Sequence, residues 1–248
     1  MDLLKKFNYF YVPKRKTTYE EFTENALTGD LFFMHGTYKV SRISEIVQRS
    51  LWSHSSIIIR REDVEGFLPL VDHEDPLLLW ESNLRTPVID QLTGVTKSGP
   101  TLVSLKDRLV YNYKMRYDTK FAYRPLYTDR SIQLYQDLSA SILKMHGGDF
   151  CKPVSRYITN FKQGRLHNVE INDNTYFCSQ IVAQSYIDIG LLTDYYPANS
   201  YAPIDFTPKR STLLKNRSFL GDEYRLDINK KNIKLIEDAP YQLKHIIS

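Results

Sequence analysis

The stretch Asn174-Thr-Tyr-Phe-Cys178-Ser-Gln-Ile-Val-Ala-Gln-Ser-Tyr-Ile-Asp-Ile-Gly190-Leu-Leu has the strongest chemical signal in the chain. A turn-forming run (Asn172, Asp173, Asn174) precedes a cysteine. Ile181, Val182, Tyr186 and Ile189 then recur at helical spacing, and Gly190 stands where a C′ glycine ends a helix. The spacing predicts a helix with Cys178 in its first turn. There, free backbone N–H groups and the positive dipole end favour a thiolate. A small buried cysteine opening a core helix fits the same pattern, so Cys178 alone leaves both readings open.

Two further residues stand at element boundaries. His54 enters the β-branched run Ile57–Ile59, and Glu81 closes the apolar run Leu77-Leu-Leu-Trp80. An acid finishing a buried strand needs a partner. Taken singly, such a histidine is usually satisfied in the core or at the surface, and such a glutamate pairs with a nearby cation. Together with Cys178 they are the parts of thiol hydrolysis: a nucleophile, a base, and a third polar group that orients the imidazole. Triad partners meet in space, so their separation along the chain is no objection.

The elements that must position them follow from pattern. Residues 1–26, rich in lysine, tyrosine and glutamate and broken by Pro13, read as an N-terminal extension. Thr28-Gly-Asp30 is a turn before a strand at Leu31-Phe-Phe-Met. A helix capped by Ser41 or Ser44 would run through Ile43, Ile46 and Val47. Strands are expected at Ile57–Ile59 and Leu77–Ser82, joined by a charged loop in which Asp72-His73-Glu74-Asp75 reads as a solvated turn. A short helix is expected within 101–110, a strand over 120–127, and a clear helix over 131–145 ended by Gly147-Gly148. After a polar segment and the Cys178 helix, 195–208 reads as an extended, proline-marked path over the surface. Ser218-Phe-Leu, Tyr224-Arg-Leu-Asp-Ile and Ile233-Lys-Leu-Ile read as closing strands, with 229–232 the turn between the last two.

Composition narrows the function classes. The chain has 248 residues, 42% hydrophobic and 25% charged, with formal net charge +4, which suits one ordinary globular domain or two small ones. Two cysteines make no disulfide framework and fit a reducing compartment. The N-terminus lacks a signal-peptide h-region, and no run approaches a membrane span, so a cytoplasmic protein is expected. His35, His54 and His73 lack any zinc-ligand spacing, and no cofactor or metal is expected. Arg108, Lys114, Arg116, Lys120 and Arg124 alternate with Tyr111, Tyr113, Tyr117, Phe121 and Tyr123. That mixture can bind nucleic acid, but without an accompanying motif it reads better as a strand and its flanks, aromatics inward and cations outward.

The blocks Thr28-Gly-Asp-Leu-Phe-Phe, Ser50-Leu-Trp-Ser-His54-Ser-Ser-Ile-Ile-Ile, Leu79-Trp-Glu81-Ser, Phe177-Cys178-Ser-Gln-Ile-Val-Ala and Ala202-Pro-Ile-Asp-Phe resemble, in order and spacing, the circularly permuted NlpC-type papain-like family. The likeness is to its YiiX-type branch, which has members in bacteria and in large DNA viruses, including poxviruses. It covers 27–208, with 209–248 a C-terminal extension packed on the same domain. It implies an α+β fold, an antiparallel sheet or half-barrel packed against helices, with the catalytic cysteine at a helix N-terminus. It also implies roles: Cys178 the nucleophile, His54 the general base and then acid, Glu81 the residue that orients His54. The chain departs from the family in having Gln180 where members commonly have glutamate, and Ser55-Ser56 where they favour small aliphatic residues.

The resemblance implies a cysteine-dependent amidase or peptidase acting through a thioester on a peptide, a peptidoglycan stem or a lipid-linked amide. The backbone N–H of Cys178 is then an oxyanion donor. Two alternatives stand beside it. One is thiol acyltransfer, as in the lecithin–retinol acyltransferase relatives of this fold. The other is a virion-associated or scaffold protein binding through the basic–aromatic stretch.

Overall fold

The computed structural model describes residues 15–36, 51–71, 74–84, 87–116, 118–210 and 212–239. The helix expected through Ile43, Ile46 and Val47, and the residues Asp72, His73 and Tyr117, lie outside them.

The strands are β1 (Arg15–Thr17), β2 (Leu31–Gly36), β3 (His54–Arg60), β4 (Leu77–Asn83), β5 (Gly99–Ser104), β6 (Asp118–Arg124), β7 (Leu126–Tyr127), β8 (Asp149–Phe150), β9 (Thr175–Tyr176), β10 (Phe219–Leu220) and β11 (Tyr224–Leu226). The helices are α1 (Tyr19–Asn25), α2 (Arg61–Val64), α3 (Leu105–Lys114), α4 (Ile132–His146), α5 (Val154–His167), α6 (Cys178–Asp188) and α7 (Ile233–Asp238). Seven strands form one sheet in the order β1-β11-β6-β2-β3-β4-β5. Every pairing in it is antiparallel except β1 with β11. The fold is therefore α+β, a mostly antiparallel sheet packed against helices.

Both faces of the sheet are covered, which is why its central strands read as unbroken apolar runs. Ile57, Ile59, Leu78 and Trp80 share one core with α4 and α6, while Ile58, Leu77 and Leu79 share the other with α1, α3 and α7. Among the described residues no helix is long and apolar enough to cross a membrane.

Several segments differ from expectation. Residues 101–110 divide: the strand runs through Ser104, whose hydroxyl accepts the Asp107 N–H at 3.1 Å and starts α3. Ile233–Asp238 is a helix, because Ile233 and Ile236 face α3 at a spacing of three while Leu235 is left exposed. Residues 198–206 are two buried 3-10 turns and no surface path; Tyr201 and Phe206 stack under α6. Asp75 is no solvated turn residue. It is buried and accepts from the backbone N–H of Leu77 and Lys106 and from the Ser104 hydroxyl. The cations of the basic–aromatic stretch do not all face outward: Lys106, Arg108 and Arg124 are buried, and Arg124 donates to the carbonyls of Phe206, Leu220 and Gly221.

The first strand of the described chain pairs with the last, Arg15 with Tyr224 and Thr17 with Leu226, and Phe22 of α1 is fully buried. Just before β11, Glu223 is buried and accepts the Trp52 indole N–H at 2.9 Å; its other oxygen has no hydrogen-bond partner among the described residues. Burial raises its carboxyl from 4.5 to about 7, against the pull of the Trp52 bond and the Arg124 charge. A carboxyl raised on folding stabilises below its unfolded value, and the benefit disappears as pH rises through 7. Glu223→Gln should leave the melting temperature unchanged below about pH 4, where the carboxyl is protonated in both states. Above pH 8 it should raise stability by up to roughly 3 kcal/mol, read by thermal denaturation across pH.

Candidate active site

Cys178 is the first residue of α6 and is partly accessible. The helix ends as its sequence predicts: Gly190, at φ +73°, donates to the Ile187 carbonyl and Leu191 to that of Tyr186, the paired bonds of a Schellman cap. Three side chains pin α6 to the rest of the molecule. Ser185 accepts the Trp80 indole N–H at 3.2 Å, Tyr186 donates to the Gly29 carbonyl at 2.6 Å, and Ser179 donates to the Tyr201 carbonyl at 2.9 Å. The approach to Cys178 is fixed as well. Tyr157 of α5 meets Phe177 edge-on, and Gly148 lies so close to Tyr176 that a Cβ would fall 2.6 Å from its ring. Gln180 accepts the Phe177 N–H at 3.4 Å. A glutamate there would accept the same bond, so the departure at this position costs no local contact.

The sheet opens where α6 arrives. The β3–β4 ladder stops at Ile57 with Trp80, although β3 stays paired with β2 down to His54 and β4 with β5 down to Asn83. At this split His54 Nε2 and Glu81 Oε2 lie 2.6 Å apart. The imidazole and the Cys178 sulfur are close enough to shift each other's titration, and because Nε2 is taken by Glu81, the nitrogen left for sulfur is Nδ1. The structure thus brings together all three residues singled out in the sequence. The sulfur lies 3.9 Å from the carbonyl oxygen of Ser53, the residue before His54, and the backbone N–H groups of Ser55 and Ser179 are near enough to favour its ionised form.

A fourth side chain, missed in the sequence, completes the arrangement. Arg108 of α3 is 7% exposed and donates from Nε to Glu81 Oε1 at 2.7 Å and from Nη1 to Asn112 Oδ1. Leu105, Arg108, Leu109 and Asn112 line one buried stripe of α3 at helical spacing, with Lys106 and Val110 buried beside it. An arginine and an asparagine four positions apart, in helical register with Leu105 and Leu109, were the available signal.

The electrostatics follow from burial and partners. Glu81 has no exposed side-chain surface. Burial alone would raise its carboxyl, but the charges and hydrogen bonds of Arg108 and His54 hold it well below the ordinary range. Burial opposes protonation of His54, yet Cys178 and Glu81 raise the imidazole well above its usual value. Burial likewise raises the Cys178 thiol, and His54 with the Ser55 and Ser179 N–H groups brings it below an ordinary thiol. Each member of the pair thus favours the charged form of the other. Cys151 contrasts with it: fully buried, it is raised by that burial, and its sulfur accepts from Asn160 Nδ2 at 3.5 Å. Of the histidines considered as zinc ligands, His35 bonds the Leu51 carbonyl and His73 lies outside the described residues. Among the described residues no three His, Cys, Asp or Glu side chains form a group that could hold a metal.

No family model and no curated protein matches the chain. Among solved structures it is similar to one described as metalloprotein yiiX from Escherichia coli O157:H7, at 13% identity and a TM-score of 0.39. The match covers 66% of each chain, just under two thirds of that protein's length. The functional reading therefore rests on the geometry.

With the two thiols in such different surroundings, iodoacetamide at pH 6 should modify Cys178 at least about tenfold faster than Cys151. Mass spectrometry of the labelled peptides reads the ratio. Cys178→Ala should lose the labelling that Cys151→Ser retains, and equal labelling of both variants would count against an activated Cys178.

Proposed function

We propose that this chain is a cysteine-dependent hydrolase of the circularly permuted papain-like kind, with Cys178 as nucleophile, His54 as base and acid, and Glu81 orienting His54. The single observation carrying the reading is the placing of the Cys178 sulfur, 3.9 Å from the Ser53 carbonyl, beside a His54 imidazole whose Nε2 lies 2.6 Å from Glu81, at a helix start where Cys178 is partly accessible.

The steps follow from those atoms. The Cys178 thiolate attacks a substrate carbonyl carbon, and the carbonyl electrons move onto oxygen. The backbone N–H of Cys178, an early helical donor without an acceptor in the helix, faces that developing charge. As the intermediate collapses, the bond to the leaving nitrogen or oxygen breaks, and His54 gives the leaving group the proton it carries. A thioester remains. Water then attacks it, His54 takes the water proton, and the acid departs with the thiol regenerated as thiolate. Glu81 keeps Nε2 engaged throughout, so Nδ1 stays directed at the sulfur. The substrate class proposed is an amide or ester carbonyl in a peptide, a peptidoglycan stem or a lipid-linked amide.

A panel of chromogenic amide, ester and acyl-donor substrates tests this. Wild type should release a burst of leaving group stoichiometric with protein and then turn over, Cys178→Ala should do neither, and His54→Ala should slow acylation by about 10²–10⁴-fold. The profile of kcat/KM should be bell-shaped. Its acid limb marks protonation of Cys178 below the ordinary thiol range, and its alkaline limb marks loss of the His54 proton above the ordinary imidazole range. Turnover persisting in Cys178→Ala would remove the assignment, and turnover only with an added second nucleophile would indicate acyltransfer.

A further inference from the structure

The site is a line of four side chains whose charges alternate: Arg108, Glu81, His54 and Cys178. Three are nearly inaccessible, with side-chain exposures of 7% for Arg108, 0% for Glu81 and 15% for His54. The main charges acting on each member belong to the line itself: Arg108 and His54 on Glu81, Cys178 and Glu81 on His54, and His54 on Cys178. Removing one member takes a counter-charge from its buried neighbour, which favours that neighbour's neutral form; without Arg108, Glu81 would keep only His54.

We propose that Arg108, anchored by Asn112, is a positioning residue that keeps Glu81 an ionised acceptor and thereby keeps the Cys178–His54 pair charge-separated. The inference rests on the reading of Cys178 as nucleophile. A solvated third residue could stay ionised unaided; Glu81 has no exposed side-chain surface, and at its Oε1 the Arg108 cation at 2.7 Å is joined only by a long Asn83 amide contact at 3.5 Å. Arginine suits the place because its fork reaches two acceptors along different N–H vectors, Glu81 through Nε and Asn112 through Nη1. A protonated Glu81 would present His54 with a hydroxyl and no negative charge. The imidazole would lose its proton, and sulfur would revert to a thiol.

The test is the pH dependence of Cys178 alkylation by iodoacetamide, followed by mass spectrometry of its peptide in the full-length chain. Wild type should show a midpoint below that of an ordinary thiol. Arg108→Met should raise that midpoint by about one pH unit or more, and Arg108→Lys should recover part of the shift. Glu81→Gln should raise it comparably, and adding Arg108→Met to Glu81→Gln should give no further rise, since the arginine acts through the carboxylate. A folded Arg108→Met protein with the wild-type midpoint overturns the proposal, as does a double variant shifted well above Glu81→Gln alone. If Arg108→Met does not fold, Arg108→Lys is read in its place: losing the Nε bond to Glu81, it should have a midpoint above wild type, and a wild-type midpoint overturns the proposal. Turnover is measured separately. An Arg108-dependent midpoint without hydrolysis would retire the hydrolase and leave this proposal standing; hydrolysis with an Arg108-independent midpoint would do the reverse.

Discussion

A carboxylate shut away from water and held between two cations is the constraint on which the rest of the molecule depends. Glu81 reaches Arg108 with one oxygen and His54 with the other. Burying a lone carboxylate costs several kcal/mol, and only close, hydrogen-bonded counter-charges offset it. The position of α3, the end of the β3–β4 ladder and the direction of the His54 ring are all conditions for that compensation.

Strand β4 joins the two sides of the molecule at adjacent residues. Successive strand side chains point to opposite faces, so Trp80 reaches Ser185 of α6 on one face and Glu81 reaches Arg108 of α3 on the other. The helix that delivers the sulfur and the helix that delivers the arginine are therefore held to the same strand, one residue apart. A shift of β4 by one residue would exchange these partners and break both contacts.

What could be read in the sequence divides along physical lines. The Ile57–Ile59 and Leu77–Trp80 strands, the Ser131-capped helix and the Gly190 ending were legible because each depends on local pattern or on a residue with special backbone freedom. Helix α5 was not. Its inward stripe is Tyr157, Asn160, Phe161 and Gly164, and two of these four carry no hydrophobic signal. Gly164 is there because a Cβ would lie 2.7 Å from Asn199, and Asn199 in turn donates to the Asn160 carbonyl. Arg108 escaped notice for a related reason: counting assigns arginine to the solvent face, and only the location of Glu81 reveals why it turns inward. The three site residues were visible as chemical types at element boundaries, whereas their convergence depends on long-range packing that no local spacing encodes.

The order of the site along the chain also affects how the protein comes into being. His54 and Glu81 are 27 positions apart on neighbouring strands, whereas Cys178 lies 125 positions beyond the Ser53 carbonyl it touches. Contacts between distant positions form late, after the chain entropy of closing the intervening loop has been overcome. A chain emerging from the ribosome in N-to-C order holds an acid–base pair before it has a sulfur for that pair to ionise. Until α6 docks, Cys178 lacks the imidazole that lowers its thiol. On the proposed reading, a reactive sulfur exists only once the tertiary structure is complete.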